Sequence, residues 1–410
     1  MPTYRAFQVT GQRQFELVDR ELTAPDPGHV RVKVQSCGVC HSDVLAVEGM
    51  RADPSQPIVP GHEIVGVIDA VGDGVSTWQV GDRVGLGFLG GHDGTCDWCR
   101  RGDFVNCENQ PQSGTTVDGG YAEVVYARAT GLVRIPDQLK SLEASPLLCA
   151  GITTFNALRG LDIRPDALVG VQGIGGLGHL GVQYANKLGY RVVAIARGAE
   201  KASLATELGA HHYIDSAAVD PGAALQELGG AAAIIATAAS GASMSPLVAG
   251  LAPRGQLVVV GAAFDPIEVQ TSDLIFGSRS IVGSITGTPI QNEDNLAFSA
   301  EHGIVPMIQV LAFEDAPKAY ERMMSGHARF RVVLDVASEL VASDDEVSRE
   351  LKVVIDRRED LVAQHTSTLN RLPRCVHELN PSQAPRQVRG IRHAPRAAAG
   401  LPGHRSGRRS

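Results

Sequence analysis

The feature that most constrains the fold is a glycine-rich segment between a candidate strand and a candidate helix. Residues 168–172 (LVGVQ) form a short apolar run, residues 173–178 read GIGGLG, and apolar residues then recur at helical spacing. In this setting a G-x-G-x-x-G segment predicts a dinucleotide-binding turn, because its glycines permit a tight turn, close approach of backbone to a pyrophosphate, and close helix–strand contact. The predicted cofactor-binding residues of the turn are Gly173, Gly175, Gly176, Leu177 and Gly178.

Strand candidates alternate with helical segments around this turn. The candidates are residues 168–172, 191–196, 211–214, 232–237, 256–260 and 280–285. Helical segments separate the first five of them. Six strands joined by crossover helices predict a doubly wound parallel sheet of the Rossmann type, which we assign to a nucleotide-binding domain at residues 154–285.

The chain before this domain has a different pattern. Val30, Val32 and Val34 alternate with charged residues, and residues 63–70 and 83–86 are further short strand candidates bounded by Gly/Asp turns. Regularly spaced short strands predict an antiparallel, barrel-like fold.

After the nucleotide-binding domain, helical segments at 292–302 and 316–325 precede a last strand candidate at 330–335. We therefore predict a catalytic domain over residues 1–153 that is completed by residues 286–338.

The charge is divided unevenly along the chain. The total is −8, but residues 371–410 contain nine Arg and one Glu and carry +8, so the first 370 residues carry −16. An acidic body argues against nucleic acid as a partner. The start of the chain does not resemble a secretory signal, and the apolar runs are too short to span a bilayer, so we expect no membrane partner and a cytoplasmic location.

The proline-rich and arginine-rich C-terminal extension cannot supply a core. We predict that residues 339–410 are largely disordered, with residues 339–362 as a candidate charged helix. Truncation after about residue 340 is expected to leave activity intact.

The end of the second Rossmann strand indicates the cofactor. An acidic residue here would bind the ribose 2′-hydroxyl of NAD, but Ala196 occupies the position, followed by Arg197 and, a turn later, Lys201. Loss of the carboxylate removes repulsion of a 2′-phosphate, and Arg197 is suited to pair with one. We therefore expect NADP in preference to NAD. The alternative is that Arg197 is a surface residue that stacks on the adenine.

Four residues that can bind a metal, one Asp and three Cys, cluster in a glycine-rich loop. Asp93, Cys96, Cys99 and Cys107 are spaced by two, two and seven residues. Three thiolates and a carboxylate at this spacing suit a closed tetrahedral structural zinc site. The alternative is a lobe without metal that is stabilised in another way.

A second set of ligands is dispersed along the chain. Cys40 and His62 lie 22 residues apart, and Cys149 follows much later. Each is weak evidence alone, because a buried cysteine is usually a small apolar residue. Together they offer two thiolates and one imidazole, which is a catalytic zinc set with an open fourth position.

With these motifs the sequence resembles the medium-chain, zinc-containing alcohol dehydrogenase family. The matching segments are residues 37–43 (CGVCHSD), 60–66 (PGHEIVG), the four-residue zinc lobe, 145–155 (SPLLCAGITTF), the glycine turn and 330–335 (FRVVLD). The resemblance implies a GroES-like β-barrel catalytic domain with an inserted Rossmann domain. It also implies a homodimer or homotetramer, two zinc ions per subunit and a nicotinamide cofactor.

The resemblance also implies residue roles. Cys40, His62 and Cys149 would bind the catalytic zinc, Asp43 would orient His62, and Glu63 would lie beside the metal. His41 and Arg331 would approach the cofactor pyrophosphate, and Ser42 would accept the proton of the alcohol. Zinc lowers the pKa of a bound primary or secondary alcohol, and the resulting alkoxide transfers hydride to the nicotinamide; in reverse, zinc polarises the aldehyde or ketone. Phe88 and Leu89 would line the substrate pocket, or belong to the core.

Two positions depart from the family pattern. Asp93 replaces a structural cysteine, and Leu45 stands where many members carry a proton-relay histidine.

The sequence leaves two alternatives to an alcohol dehydrogenase. One is a polyol or formaldehyde-type dehydrogenase of the same family, and the other is a zinc-stabilised nucleotide-binding protein without turnover, for which an open metal position has no use.

Overall fold

A computed structural model describes residues 1–337, which form fifteen β-strands and eleven α-helices. The strands are β1 (Thr3–Gly11), β2 (Gln14–Glu21), β3 (His29–Val39), β4 (Glu63–Val71), β5 (Arg83–Leu86), β6 (Val124–Arg128), β7 (Leu132–Arg134), β8 (Leu168–Gln172), β9 (Arg191–Ala196), β10 (His212–Asp215), β11 (Ala231–Ala236), β12 (Leu251–Val259), β13 (Ser280–Gly283), β14 (Ile308–Ala312) and β15 (Arg331–Asp335). The predictions for residues 339–410 lie outside the described residues.

The helices are mostly short. They are α1 (Val44–Val47), α2 (Asp97–Arg100), α3 (Ser141–Pro146), α4 (Ile152–Arg159), α5 (Gly178–Lys187), α6 (Ala202–Glu207), α7 (Pro221–Glu227), α8 (Gly241–Met244), α9 (Thr271–Gly277), α10 (Pro289–His302) and α11 (Ala316–Met324). A π-helical turn, Leu147–Gly151, lies between α3 and α4. Among the described residues, no helix combines the length and apolarity that crossing a membrane requires.

Six strands form the predicted parallel sheet, in the order β10-β9-β8-β11-β12-β13. The sequence order reverses between β8 and β11, and in such sheets ligands bind at the carboxyl end of the strands beside this switch point. The glycine turn follows β8 and therefore lies at that position. Strand β8 (LVGVQ) is buried along its whole length, as expected for a strand covered on both faces.

A second sheet of seven strands contains the N-terminal elements and the last strand. Its order is β14-β15-β3-β4-β5-β7, with β6 paired to β3. Val30, Val32 and Val34 of β3 are buried, which confirms the alternation expected for this strand. Strand β15 pairs antiparallel with β3, so the end of the described chain completes the sheet that its beginning starts. The predicted boundaries of the two domains remain a prediction.

Several predicted elements match closely, and the differences have local causes. Strands β5, β8 and β9 have the predicted bounds. Strand β12 begins at Leu251, five residues earlier than predicted, and its pairing with β11 is interrupted after Leu251, so the first part resembles a loop in sequence. Helix α9 was not predicted; none of its residues is buried, so it carries no apolar periodicity.

Candidate active site

Three separate elements bring the predicted catalytic ligands together. Strands β3 and β4 are antiparallel, with Gly38 opposite Glu63. Cys40 follows the end of β3 and His62 precedes the start of β4, so both lie at the same end of the pair. Cys149 is presented by the π-helical turn, a local widening that is frequent at functional sites.

The three side chains form a buried cluster with Glu63. One ligand atom from each of the four residues lies within 4.8 Å of the others. The Sγ atoms of Cys40 and Cys149 are 3.8 Å apart, and none of the four residues is more than 8% exposed. Two sulfur atoms, one imidazole nitrogen and an adjacent carboxylate therefore lie close together on residues that are almost fully buried.

Asp43 contacts two members of this cluster and orients them. One carboxylate oxygen, Oδ1, lies 3.0 Å from Nδ1 of His62. The other oxygen accepts hydrogen bonds from the backbone N–H of Cys40 at 2.9 Å and the hydroxyl of Tyr121 at 3.0 Å. Because Asp43 contacts Nδ1, the imidazole presents Nε2 to the thiols. A metal bound at Nε2 requires this orientation of the ring.

Two unpaired atoms test whether the cluster fits zinc. Nε2 of His62 and Oε2 of Glu63 are buried and have no hydrogen-bond partner. Buried polar atoms are normally paired, and an unpaired one calls for an explanation such as an ion. Two thiols and an imidazole are ligands that zinc prefers at a catalytic site with an open position. The residues present therefore fit a zinc ion.

Two buried thiols, Cys37 on β3 and Cys40 just after its end, differ in pKa. Burial raises the pKa of the Cys37 thiol well above its usual value, so this side chain stays neutral. The pKa of Cys40 is lowered well below its usual value, first by its contact with Cys149 and then by His62. The thiolate is the metal-binding form of cysteine, so Cys40 is suited to ligation and Cys37 to apolar contact.

Glu63 forms a buried ion pair with Arg331, the first residue of β15. Arg331 is only 4% exposed, and one of its guanidinium nitrogens would lie 2.9 Å from a Cβ added to Gly176. The same side chain therefore touches both the metal cluster and the glycine turn.

The turn itself is as tight as the sequence predicts for a phosphate-binding turn. Gly173 has φ +87°, and a Cβ at Gly178 would lie 1.8 Å from the carbonyl oxygen of Gly173, so neither position tolerates a side chain. At Gly175 an added Cβ would meet nothing within 4 Å. This open space lies at the N-terminal end of α5, where backbone N–H groups attract phosphate. Leu177 is half-buried beside it.

The loop after β9 carries the residues predicted to select the cofactor. Ala196 is buried, Arg197 is exposed and Lys201 is half-buried. Strand β10 fixes the loop at Gly198, whose N–H donates to Asp215 at 2.8 Å and whose carbonyl accepts from the Tyr213 hydroxyl at 2.5 Å. The loop is thus held in place, while both basic side chains keep contact with solvent.

The predicted structural zinc ligands also meet. One ligand atom each from Asp93, Cys96, Cys99 and Cys107 lies within 4.8 Å of the others. The Asp93 carboxylate accepts hydrogen bonds from Asn109, Thr95 and Cys96 at 2.6, 2.7 and 3.0 Å. These bonds, led by the one from Asn109, lower the pKa of Asp93, so it is a carboxylate at neutral pH.

The remaining predicted residues differ in their surroundings. His41 is exposed and Ser42 half-buried, both on the turn between β3 and α1, and Leu45 follows in α1. Phe88 packs edge-on against His62, with 5.3 Å between ring centres, and borders a small cleft together with Leu89. The roles predicted for these residues remain predictions.

Two residues that support the site were not identified from the sequence. Tyr121 supports Asp43, and His179, in the first turn of α5, bonds to the glycine turn. Nothing local marks Tyr121, because its partner lies 78 residues away. His179 had a weak signal, a histidine directly after the glycine turn in a helix whose neighbouring residues are apolar.

Comparisons with known proteins identify the domains and the family. Residues 26–137 match the alcohol dehydrogenase GroES-like domain, and residues 176–301 match the zinc-binding dehydrogenase family. Alcohol dehydrogenase patD from Penicillium expansum is 45% identical over 313 residues, which cover 76% of this chain and 92% of that protein.

Solved structures show the same fold. Cinnamyl alcohol dehydrogenase SbCAD4 from Sorghum bicolor aligns with a TM-score of 0.74 and 31% identity, covering 82% of this chain and 98% of that one. CAD from Helicobacter pylori, complexed with NADP(H), aligns with a TM-score of 0.71 and 27% identity, covering 81% and 98%.

The two sheets and the buried cluster define an oxidoreductase with a GroES-like domain and a Rossmann nucleotide-binding domain. The chain belongs to the zinc-type medium-chain alcohol dehydrogenase family.

Proposed function

We propose that this protein catalyses reversible hydride transfer between a primary or secondary alcohol and NAD(P), with a catalytic zinc held by Cys40, His62 and Cys149. The observation that carries the proposal is the unpaired, buried Nε2 of His62, which faces two thiols and is oriented by Asp43. An imidazole held in this way without a metal would cost free energy and serve no purpose.

When bound, zinc supplies a Lewis acid that acidifies the alcohol hydroxyl, and the nicotinamide supplies the hydride acceptor. The chain supplies orientation and proton handling. Asp43 holds the imidazole, and the buried walls around Cys40 and Cys149 exclude water. Ser42, on the turn directly after Cys40, accepts the proton of the alcohol. Because position 45 is leucine, the proton passes from Ser42 to solvent without a histidine.

Absorbance of the reduced nicotinamide, followed with a panel of alcohols, aldehydes and ketones, tests this proposal. We expect turnover with some of these substrates and its loss after removal of zinc by a chelator. Cofactor binding without turnover of any substrate would instead support the nucleotide-binding protein without catalysis. Preference for polyols or formaldehyde adducts would support the other subclass of dehydrogenase.

NADP is the proposed cofactor. The support is the absence of a carboxylate at Ala196 together with the exposed guanidinium of Arg197 and the nearby Lys201. Charge-assisted bonds to phosphate are the stronger class of hydrogen bond. We expect Arg197→Ala to raise the KM for NADP about tenfold and to leave the KM for NAD nearly unchanged.

A matched control is available on the same strand. Arg191, at the opposite end of β9, is also exposed, and Arg191→Ala is expected to change neither KM. A wild-type enzyme with higher kcat/KM for NAD than for NADP would contradict the proposed preference.

A homo-oligomer is proposed, with a second copy of this chain as the partner. Strand β13 ends the parallel sheet and has no strand on its outer side among residues 1–337. Nearby segments expose large apolar side chains: Phe264 and Phe276 are each 90% exposed and Ile275 is 68% exposed. Unpaired backbone groups beside exposed apolar side chains favour pairing with another chain.

Light scattering of purified protein measures this association. We expect a dimer or tetramer, and a shift toward the monomer in Phe276→Asp. Val80 is 61% exposed but lies in the catalytic half, so Val80→Asp is expected to leave the mass unchanged. A monomeric wild-type protein would refute the proposal.

A further inference from the structure

His179 is a completely buried histidine that the proposed mechanism does not use. It lies in the first turn of α5, directly after the glycine turn. Its Nδ1 is 2.8 Å from the carbonyl oxygen of Gly175, and its Nε2 is 3.1 Å from the backbone nitrogen of Met307. Both ring nitrogens therefore have backbone partners, one in the cofactor turn and one in the segment before β14.

The identity of these partners fixes the state of the ring. A backbone N–H can only donate, so Nε2 accepts from Met307 and Nδ1 carries the proton that is donated to Gly175. Burial lowers the pKa of His179 to about 4, so the ring is neutral at physiological pH and this pattern persists.

The contacts continue from Met307 to the metal cluster. The carbonyl oxygen of Met307 accepts hydrogen bonds from the backbone N–H groups of Phe330 at 2.8 Å and Arg331 at 3.0 Å. The Arg331 side chain then pairs with Glu63, one of the four residues of the buried metal cluster. An unbroken series of polar contacts thus joins Gly175 of the cofactor turn to Glu63.

We propose that His179 is a positioning residue that couples occupancy of the cofactor turn to retention of metal at Cys40, His62 and Cys149, through the Met307 peptide and the Arg331–Glu63 pair. Cofactor phosphate on the turn would fix the Gly175 peptide, and the contacts through His179 would hold Glu63 in place beside the metal. This inference rests on the proposed zinc site. Coupling between two sites is reciprocal, so metal would strengthen cofactor binding by the same factor.

Two substitutions each remove one of the two hydrogen bonds that His179 makes to Gly175 and Met307. The amide of His179→Asn can still reach the Gly175 carbonyl from the position of Nδ1 but not Met307. The amide of His179→Gln can reach Met307 from the position of Nε2 but not Gly175. If coupling between cofactor and metal needs both hydrogen bonds, both variants lose it.

Tyr184→Phe serves as a matched control for loss of stability. Tyr184 is a buried residue of the same helix, and its hydroxyl bonds to Asn295 at 2.6 Å and Ser299 at 2.8 Å on α10. The substitution removes buried hydrogen bonds between α5 and α10 but does not touch the glycine turn, Met307 or Arg331.

The experiment measures zinc release from the holoenzyme to a chromophoric chelator, with and without saturating NADPH or NADH, whichever the wild type binds more tightly. The fraction whose release parallels loss of activity is the catalytic zinc. We expect the cofactor to slow its release about tenfold in the wild type and in Tyr184→Phe, and less than twofold in both His179 variants. Because the release rates with and without cofactor are compared within each protein, general changes in stability cancel.

A cofactor effect of equal size in all four proteins, or none in the wild type, would overturn the inference and leave the proposed function intact. A purified enzyme with no zinc at Cys40, His62 and Cys149 would contradict the proposed function and the inference with it.

Discussion

The two metal-ligand clusters are built in contrasting ways. The proposed structural ligands, Asp93, Cys96, Cys99 and Cys107, come from one loop. Cys40 and Cys149 are instead 109 residues apart and are brought together by the fold. Asp93 and Cys96 are partly exposed, while all four residues of the other cluster are buried. The local cluster is suited to hold a loop together. The dispersed cluster is suited to place a reactive ion at a buried point where three elements meet.

The largest expected difference concerns activity after loss of a ligand. In Cys40→Ala the proposed catalytic zinc loses a thiolate, so we expect kcat/KM to fall about 1000-fold or more. Cys37→Ala is the control, because Cys37 is also a completely buried thiol on β3 but is held neutral. We expect it to retain kcat/KM within about threefold. More than a tenth of wild-type activity in Cys40→Ala would refute the assignment of Cys40.

A smaller effect, on zinc affinity, is expected from a change at Asp43, which contacts the proposed ligand His62. Asp43→Asn keeps the size of the side chain but weakens its interaction with Nδ1 of His62, so we expect zinc affinity to fall about 10-fold to 100-fold, measured by competition with a chelator. Tyr121→Phe removes one hydrogen bond from the other oxygen of the same carboxylate, and its effect should be only a few-fold. Equal affinity in wild type and Asp43→Asn would show that His62 needs no orienting group.

The smallest effect on catalysis is expected in the structural lobe. Asp93→Ala removes both a proposed zinc ligand and the acceptor of three hydrogen bonds, so we expect about one zinc per subunit in place of two and a Tm lower by about 5 °C. Turnover per folded molecule should change less than twofold. Metal analysis, thermal unfolding and activity measure the three quantities.

Two substitutions control for the Asp93 experiment. Asp97→Asn changes an exposed carboxylate in the same lobe and should leave zinc content unchanged. Asp93→Cys supplies a fourth thiolate and should restore two zinc ions. One zinc per subunit in the wild type would contradict a metal site of three sulfur atoms and one oxygen.

The contrast between the clusters also explains what the sequence could predict. The lobe was predicted from spacing alone, because its ligands are close together in the chain. The parallel sheet was predicted because β8 and β9 are continuous apolar runs beside a glycine turn. The placement of Cys149 on a π-helical turn has no sequence pattern, and its proposed role as a ligand depends on residue type together with family resemblance.

Other features depend on contacts that no local pattern encodes. The Met307 backbone meets His179 across 128 residues, and Glu63 meets Arg331 across 268. Helix α9 escaped prediction because its side chains are not buried. Short-range periodicity therefore predicted the layers, whereas the polar contacts that link them required the three-dimensional structure.

The Asp43 carboxylate has a consequence for how the protein acquires its metal. Its bonds to His62, Cys40 and Tyr121 join only groups of the chain itself. The orientation of the imidazole is consequently set by groups of the chain. If zinc binds as proposed, the free-energy cost of ordering this ligand falls on folding of the chain and not on metal binding.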